Sequence, residues 1–288
     1  MHVVSTPADY NALSLQWAGQ RVALVPTMGA LHEGHMALIR RARELADVVV
    51  VSIFVNPLQF GPQEDLARYP RPLSQDKAIC ESLGVDALFT PTVDTFYPDG
   101  LDNVTTVVPP PFLTERFCGA FRPGHFTGVA TVVLKLLNLL RPQVAIFGEK
   151  DAQQLMVIQK MVKDLQLSVE IIPQPTIREA SGLAMSSRNR YLQTEAEQQA
   201  ALSLYQILTQ AREAARKAAF PLEAEHVLEE ISQAALSAWA EQGVSVRLQY
   251  LDAVYKANFA PAQRLEAGVK VLIAAYVNNV RLIDNIDI

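Results

Sequence analysis

The stretch "RVALVPTMGALHEGHMALIRRARELADVVVVSIFV", Arg21 to Val55, decides how the chain is read. "RVALVPT" is apolar at consecutive positions, as a strand covered on both faces requires. Met28-Gly29-Ala30 then reads as a turn, a helix begins at His32 to His35 and has its apolar spacing from Met36 to Ala46, and "DVVVVSIFV" is a second covered strand. Strand, crossover helix and strand in that order predict a parallel sheet.

Moving outward, the same alternation runs to about residue 175. Further strands are expected at "DALFTP", "NVTTVVP", "VAIFG" and "SVEIIP", with helices over Ser74 to Leu83, Gly128 to Leu140 and Gln153 to Leu165. The expectation is an α/β fold with a doubly wound, Rossmann-like parallel-sheet domain over residues 1–175. Ligands bind such sheets where strands end and helices begin. After "PQPTIREASG" the texture changes. Two Ala-, Glu- and Gln-rich stretches, Glu195 to Ala219 and Leu222 to Gln242, read as amphipathic helices. "SVRLQYLDAVY", "VKVLIAAYV" and "VRLIDNID" read as antiparallel strands with a tight turn at Asn278-Asn279. A smaller α+β C-terminal domain is therefore expected over residues 176–288, and no internal repeat is seen.

Composition limits the function classes. Half of the 288 residues are hydrophobic and 19% are charged, which provides for a large core and argues against global disorder. The formal charge of -5, without a long Lys/Arg run, argues against polymeric nucleic acid as a partner. Cys80 and Cys118 stand far apart with no Cys-x-x-Cys pair, which fits reduced thiols better than a disulfide framework or a thiolate metal site. "VVVVSIFV" and "VATVVLKLLNLL" fall short of the ~20 residues that span a bilayer, and the amino-terminal stretch shows no secretion signal. A cytoplasmic protein without membrane contact is expected.

His32-Glu33-Gly34-His35 admits three readings. As a zinc clasp it has the wrong spacing, since zinc proteases use His-Glu-x-x-His, and no third ligand clusters nearby. As a cradle, the turn and helix start combine unpaired amides, the positive end of the helix dipole and two imidazole donors, all suited to phosphate. As ordinary helix-start residues they carry no chemistry. A second stretch, "GLAMSSRNRYL", offers Ser186, Ser187 and Arg188 as two hydroxyls and a permanent cation on one loop, suited to polyphosphate.

Together the two stretches resemble the nucleotidylyltransferase superfamily, which includes the class I aminoacyl-tRNA synthetases. Their second motif is Lys-Met-Ser-Lys-Ser. Ala184 and Ser187 stand at its lysine positions, leaving Arg188 as the nearby cation. "VPTMGALHEGH", "VSIFVNPLQFGPQEDLARYPR", "RPGHFTGVATVVLKLLN", "FGEKDAQQL", "GLAMSSRNRYL" and "RLIDN", in this order from about residue 20 onward, resemble the pantothenate synthetase family, ligases that join pantoate to β-alanine. Departures are Asn278 in place of a turn glycine, and Cys118 and Phe121 before "RPGHF".

The resemblance implies roles residue by residue. Met28, Gly29, Ala30, Leu31, His32, Glu33, Gly34 and His35 would bind ATP, with His35 as catalytic acid, supported by His32 and Lys150. Gly148, Glu149, Lys150 and Asp151 would meet phosphates and ribose, Ile177 adenine, and Met185, Ser186, Ser187 and Arg188 would complete the ATP site. Gln59 and Gln154 would hold pantoate, with Gln59 also meeting β-alanine. Magnesium is implied with the triphosphate, with Asp76 as a protein-side candidate, and no structural zinc is expected. His125 of "RPGHF" is left between a structural and a supporting role. Without the resemblance, the glutamines read as surface residues, Lys150 and Asp151 as a solvated pair, Ile177 as core and Asp76 as a solvated helix acid.

The implied reaction adenylates (R)-pantoate and passes the pantoyl group to β-alanine, releasing AMP. An adenylyl or cytidylyl transferase that releases its product, and a nucleotide-sensing protein without turnover, are the alternatives. A homodimer formed through the first domain is also implied, and the apolar run from Phe54 to Phe60 is available in sequence for its interface.

Overall fold

The computed structural model describes residues 1–62, 64–240 and 244–288. The chain divides into two compact units, Met1–Glu149 with Gln153–Pro175, and Lys150–Ala152 with Thr176–Ile288. In the first unit, strands β1 (His2–Val4), β2 (Val22–Thr27), β3 (Val48–Ile53), β4 (Ala87–Phe89), β5 (Val144–Gly148) and β6 (Glu170–Gln174) form one sheet. Their order is β1-β4-β3-β2-β5-β6, and every neighbouring pair is parallel. The doubly wound α/β architecture expected from the sequence is what the chain adopts.

The winding reverses at β2. From there the chain runs outward through β3 to β4, then returns to the other side of β2 to form β5 and β6. β2 pairs with β3 along its whole length, from Val22 opposite Val48 to Thr27 opposite Ile53. With β5 it pairs only at Ala23–Val144 and Leu24–Ala145, after which the two central strands part. The carboxyl edge therefore opens at the switch point, where such sheets bind ligands.

Burial explains why these stretches are strands. Val49, Val50 and Val51 of β3 are all 0% exposed, so the strand is covered on both faces. Helix α1 (Glu33–Leu45) buries Leu38, Ile39 and Ala42, one stripe at helical spacing. Helices α2 (Leu73–Ser82), α3 (His125–Leu140) and α4 (Ala152–Asp164) follow. α3 buries eleven of its sixteen residues, which accounts for the apolar "VATVVLKLLNLL" without a membrane. Among the described residues no helix is long and apolar enough to cross one. Cys80 on α2 is fully buried, and burial, helped by Asp76 and Glu81, pushes its thiol up to about 12.

Two expectations are corrected and one strand is added. "NVTTVVP", residues 103–109, is not a strand: Val108 is 74% exposed and the Pro109-Pro110-Pro111 run that ends it supplies no N–H groups for a ladder. β1, absent from the sequence reading because three residues carry little pattern, takes the sheet edge beside β4 instead. Phe54 is not available to an interface. It is 5% exposed and packs on Phe96 and Tyr97, with ring centroids 4.9 and 5.9 Å away, while Phe60 rests edge-on against Tyr69.

The second unit contains helices α5 (Glu195–Lys217) and α6 (Ala224–Ala240) and an antiparallel sheet of β7 (Val246–Tyr255), β8 (Val269–Val277) and β9 (Val280–Asp287), with β8 in the middle. The predicted end of the second helix, at Gln242, lies outside the described residues. A capping box starts α5: Glu197 N–H donates to Thr194 Oγ1 at 3.2 Å, and Glu197 Oε2 accepts from Thr194 N–H at 3.0 Å. Leu204, Ile207 and Leu208 of α5 share a core with Val271, Ile273 and Ala275 of β8. Asn278 turns the β8–β9 hairpin at φ 50°, the left-handed conformation in which asparagine substitutes for glycine.

Candidate active site

The loop leaving β2 is built around a buried carboxylate. Asp76 of α2, 1% exposed, accepts from Ala30 N–H through Oδ2 at 2.9 Å and from Leu31 N–H through Oδ1 at 2.8 Å. Gly29 lies at φ +81°, and a Cβ there would stand 2.9 Å from Asp76 Oδ2, so the turn needs glycine both for its backbone and for its space. Asp76, the magnesium candidate of the sequence, braces this loop. It is buried, and each oxygen is engaged by a backbone amide.

The loop delivers the chain into α1 through its two histidines. His32 is extended at φ -136°, and its Nδ1 accepts from Gly34 N–H at 3.1 Å. His35 Nδ1 accepts from His32 N–H at 3.3 Å, and the two rings lie 4.1 Å apart. An Nδ1 that accepts leaves the neutral ring's proton on Nε2. Each imidazole is thus oriented by the helix start as an Nε2–H donor. Glu33 pairs with Arg40 along the helix.

Gln59 is brought to the same loop. It ends the single turn Pro57–Gln59 after β3, and its Nε2 donates to Met28 Sδ at 3.2 Å while its Oε1 accepts from Asn56 Nδ2 at 3.1 Å. Asn56 is 1% exposed, donates also to the Gly128 carbonyl at 3.1 Å and accepts from Tyr97 Oη at 2.9 Å. A Cβ on Gly128 would lie 2.3 Å from the Leu58 carbonyl oxygen, so a glycine in α3 is what lets this turn seat. From below, "RPGH" grips the turn. His125 Nδ1 lies 2.8 Å and Arg122 Nη2 3.3 Å from the Gln59 carbonyl, and Arg122 Nη1 lies 2.9 Å from His125 Nε2. Arg122 forms a two-nitrogen pair with Glu64 at 2.7 and 2.6 Å. Burial pushes the Glu64 carboxyl up, but the Arg122 hydrogen bonds and charge outweigh it and hold it below its ordinary range. His125 thus helps to hold the Gln59 turn, together with Arg122 and Glu64, to which the sequence reading assigned no role. "RPGHF" had marked two of the three.

Across the switch point, Gly148 and Glu149 close β5, and Lys150 to Ala152 belong to the second unit. Lys150 Nζ is 3.9 Å from Asp151 Oδ2. Gln154, half-buried in the first turn of α4, is distinguished from its neighbour: Gln153 is 5% exposed and fully engaged, with Cys118 N–H and the Leu113 and Arg116 carbonyls at 2.8–2.9 Å. In the second unit Ile177 and Met185, eight positions apart, meet across a short hairpin, Met185 N–H donating to the Ile177 carbonyl at 3.0 Å. Ser186 then caps a turn through Ser187 to Tyr191, its Oγ accepting from Arg188 N–H at 3.2 Å. The structure thus gathers Met28 to His35 and Gln59 in one unit, and Lys150, Asp151, Ile177 and Met185 to Arg188 in the other. Among the described residues no group of three or more His, Cys, Asp or Glu side chains is placed to hold a metal ion.

A doubly wound α/β protein with two histidines at the helix start beside its switch point is the class these features define. The sequence profile of the pantoate-beta-alanine ligase family matches residues 2–287, and the chain belongs to that family. It is 53% identical over 285 residues to a bifunctional pantoate ligase/cytidylate kinase of Thermosynechococcus vestitus, a match covering 99% of this chain and 54% of that protein. The chain thus spans about half the length of the bifunctional relatives it matches. The crystal structure of pantothenate synthetase from Thermus thermophilus superposes with a TM-score of 0.91 at 44% identity, covering 100% of this chain and 99% of that one. Pantoate-beta-alanine ligase from Francisella tularensis, solved as a complex with beta-gamma ATP and beta-alanine, gives 0.81 at 38% identity, covering 100% and 97%.

Proposed function

We propose that this chain condenses (R)-pantoate with β-alanine to form pantothenate at the expense of ATP, through an enzyme-bound pantoyl adenylate. The observation that carries the reading is that the Met28–Leu31 loop, the two histidines at the start of α1 and Gln59 lie together beyond the carboxyl end of β2. Family membership supports it, as does a relative that binds beta-gamma ATP and beta-alanine.

In the first step a pantoate carboxylate oxygen attacks the α-phosphorus and pyrophosphate leaves. His35, with His32 beside it, donates to the phosphoryl oxygens as negative charge builds there. Lys150 adds positive charge on the phosphates, Asp151 meets ribose, Ile177 and Met185 meet adenine, and Ser186, Ser187 and Arg188 take the polyphosphate, with Gly148 and Glu149 shaping the strand end. Gln59 and Gln154 hold pantoate. In the second step the β-alanine amine, oriented by Gln59, attacks the acyl carbon and AMP leaves with the C–O electron pair. Magnesium would enter with ATP and neutralise triphosphate charge, with Asp76 as the candidate carboxylate on the protein side. Residues 1–175 supply the catalytic half and residues 176–288 act as a lid. The protein works in the cytoplasm as a homodimer, without nucleic acid or membrane partners.

AMP release measured with each substrate omitted in turn tests the reading. AMP that forms only when pantoate and β-alanine are both present supports the ligase. Turnover with pantoate alone, at a full steady-state rate, would point to a nucleotidylyl transferase, and ATP binding without turnover to a sensor.

A further inference from the structure

We propose that Asp284 and Asn285, adjacent residues on β9, are positioning residues for ATP. They hold the backbone of the two strips of the second unit that the function proposed above assigns to the nucleotide, and the inference rests on that assignment. Both side chains are buried, at 5% and 4% exposure. Along β9, Leu282, Asp284 and Ile286 alternate toward the helix-covered core, so by pattern position 284 calls for an apolar residue. A carboxylate there is costly unless it is closely paired.

Its partner is Arg178, whose two terminal nitrogens meet Asp284 at 2.6 and 2.9 Å. The same guanidinium donates to the Gly182 carbonyl at 3.1 Å and the Asn285 carbonyl at 3.2 Å, and lies 4.1 Å over the Tyr205 ring. Tyr205 in turn leaves no room on the hairpin, since a Cβ on Gly182 would stand 2.5 Å from its ring. Arg178 and Gly182 belong to the hairpin that ends at Met185, so Asp284 fixes where Met185 and Ser186 begin.

Asn285 projects the other way and holds the second strip. Its Nδ2 donates to the Lys150 carbonyl at 2.8 Å, and its Oδ1 accepts from Lys270 Nζ at 3.0 Å. A carbonyl can only accept and an ammonium can only donate, so the position requires one donor and one acceptor on a short side chain. Asparagine meets that requirement and aspartate does not. One strand end thereby sets the backbone at Lys150 and at Met185, two strips far apart in sequence.

The test uses full-length Asn285→Asp and Asp284→Asn, with Arg178→Lys as the variant that keeps the charge and loses the fork should Asp284→Asn fail to fold. ATP affinity is measured by calorimetry without pantoate, and amide hydrogen exchange is followed over residues 150–153 and 185–189. Asn285→Asp should weaken ATP binding about tenfold, the equivalent of one good hydrogen bond, and speed exchange at 150–153, with the Michaelis constant for pantoate unchanged. Asp284→Asn or Arg178→Lys should do the same at 185–189. Folded variants that bind ATP like the wild type, or that lose ATP and pantoate affinity equally, overturn the positioning role while leaving the reaction intact. Wild-type protein that binds ATP but releases no AMP overturns the reaction, whereas weakened ATP binding by Asn285→Asp in that same protein still supports the positioning role.

Discussion

The two strips that the proposed function assigns to the nucleotide are built in opposite ways. In the first unit Gly29, Ala30 and Leu31 are buried, two of their amides are engaged by Asp76, and both histidines are tied into the start of α1. In the second unit Met185, Ser186, Ser187 and Arg188 are only half-buried, on a strip that follows the hairpin held by Arg178 and Asp284 and begins a serine-capped turn. The contrast matches two chemical demands. Donors that stabilise charge at a reacting phosphorus are effective when they are already in place, and groups that take in and release polyphosphate must move.

The largest effect should come from the fixed strip. His35→Ala is expected to slow return of labelled pyrophosphate into ATP, with pantoate present, by roughly 10² to 10³, the usual result of deleting one preorganised donor. Arg188→Ala should cost the same exchange less, about tenfold, as for one charge-assisted hydrogen bond in a half-exposed loop. Equal losses in the two variants would break the contrast between a preorganised strip and a mobile one.

The next effect is on stability. Asp76→Ala leaves two buried amides without an acceptor, which should lower the unfolding free energy of the first unit by about 3 kcal/mol, read from urea denaturation followed at its tryptophan, Trp17. A loss below ~0.5 kcal/mol, the range of an ordinary surface substitution, would show that the loop holds its shape without the carboxylate. The bracing role would then fall.

Much of this was legible in the sequence, for reasons the structure makes plain. β2 and β3 declare themselves because strands covered on both faces are apolar at every position, and α1 and α5 because their buried stripes repeat at helical spacing. β1 did not, since three residues with an exposed pattern carry no periodicity. "NVTTVVP" misled because β-branched composition records fitness for a sheet, whereas a vacant place in the sheet depends on the rest of the chain. At the site, sequence could mark Gln59 and Gln154 as candidates but not that Gln153 is the structural one, because adjacent helix residues differ only in the direction they point. That Asp76 braces the loop was not legible either: its partners, Ala30 and Leu31, are 46 and 45 residues away, and backbone amides leave no mark in a sequence. "RLIDN" was visible as a motif while its work was not, since Arg178 and Lys150 lie 106 and 135 residues from the groups that hold them.

The smallest expected effect concerns the pair that supports Gln59 from outside the fixed loop. Glu64 and Arg122 are 25% and 13% exposed, and Arg122 carries the pair's influence to the Gln59 carbonyl and His125. Burial raises the Glu64 pKa, pairing with Arg122 lowers it further, and the net direction is down from the ordinary 4.5. For a carboxyl whose folded value lies below its unfolded one, stability from the pair is complete above the unfolded value. As pH falls through 4.5 the unfolded chain takes up its proton first, and the contribution fades until pH passes the folded value. Wild type should therefore melt above Glu64→Gln by about 2 °C near neutral pH, as one partly screened ion pair of about 1 kcal/mol implies in a chain of this length. The gap should hold steady down to about pH 5 and close with further acidification. A gap that stays constant through pH 3 would mean that charge at Glu64 contributes nothing. A gap that widens in acid would reverse the sign of the linkage and place the proton, rather than the negative charge, on the pair that steadies Gln59.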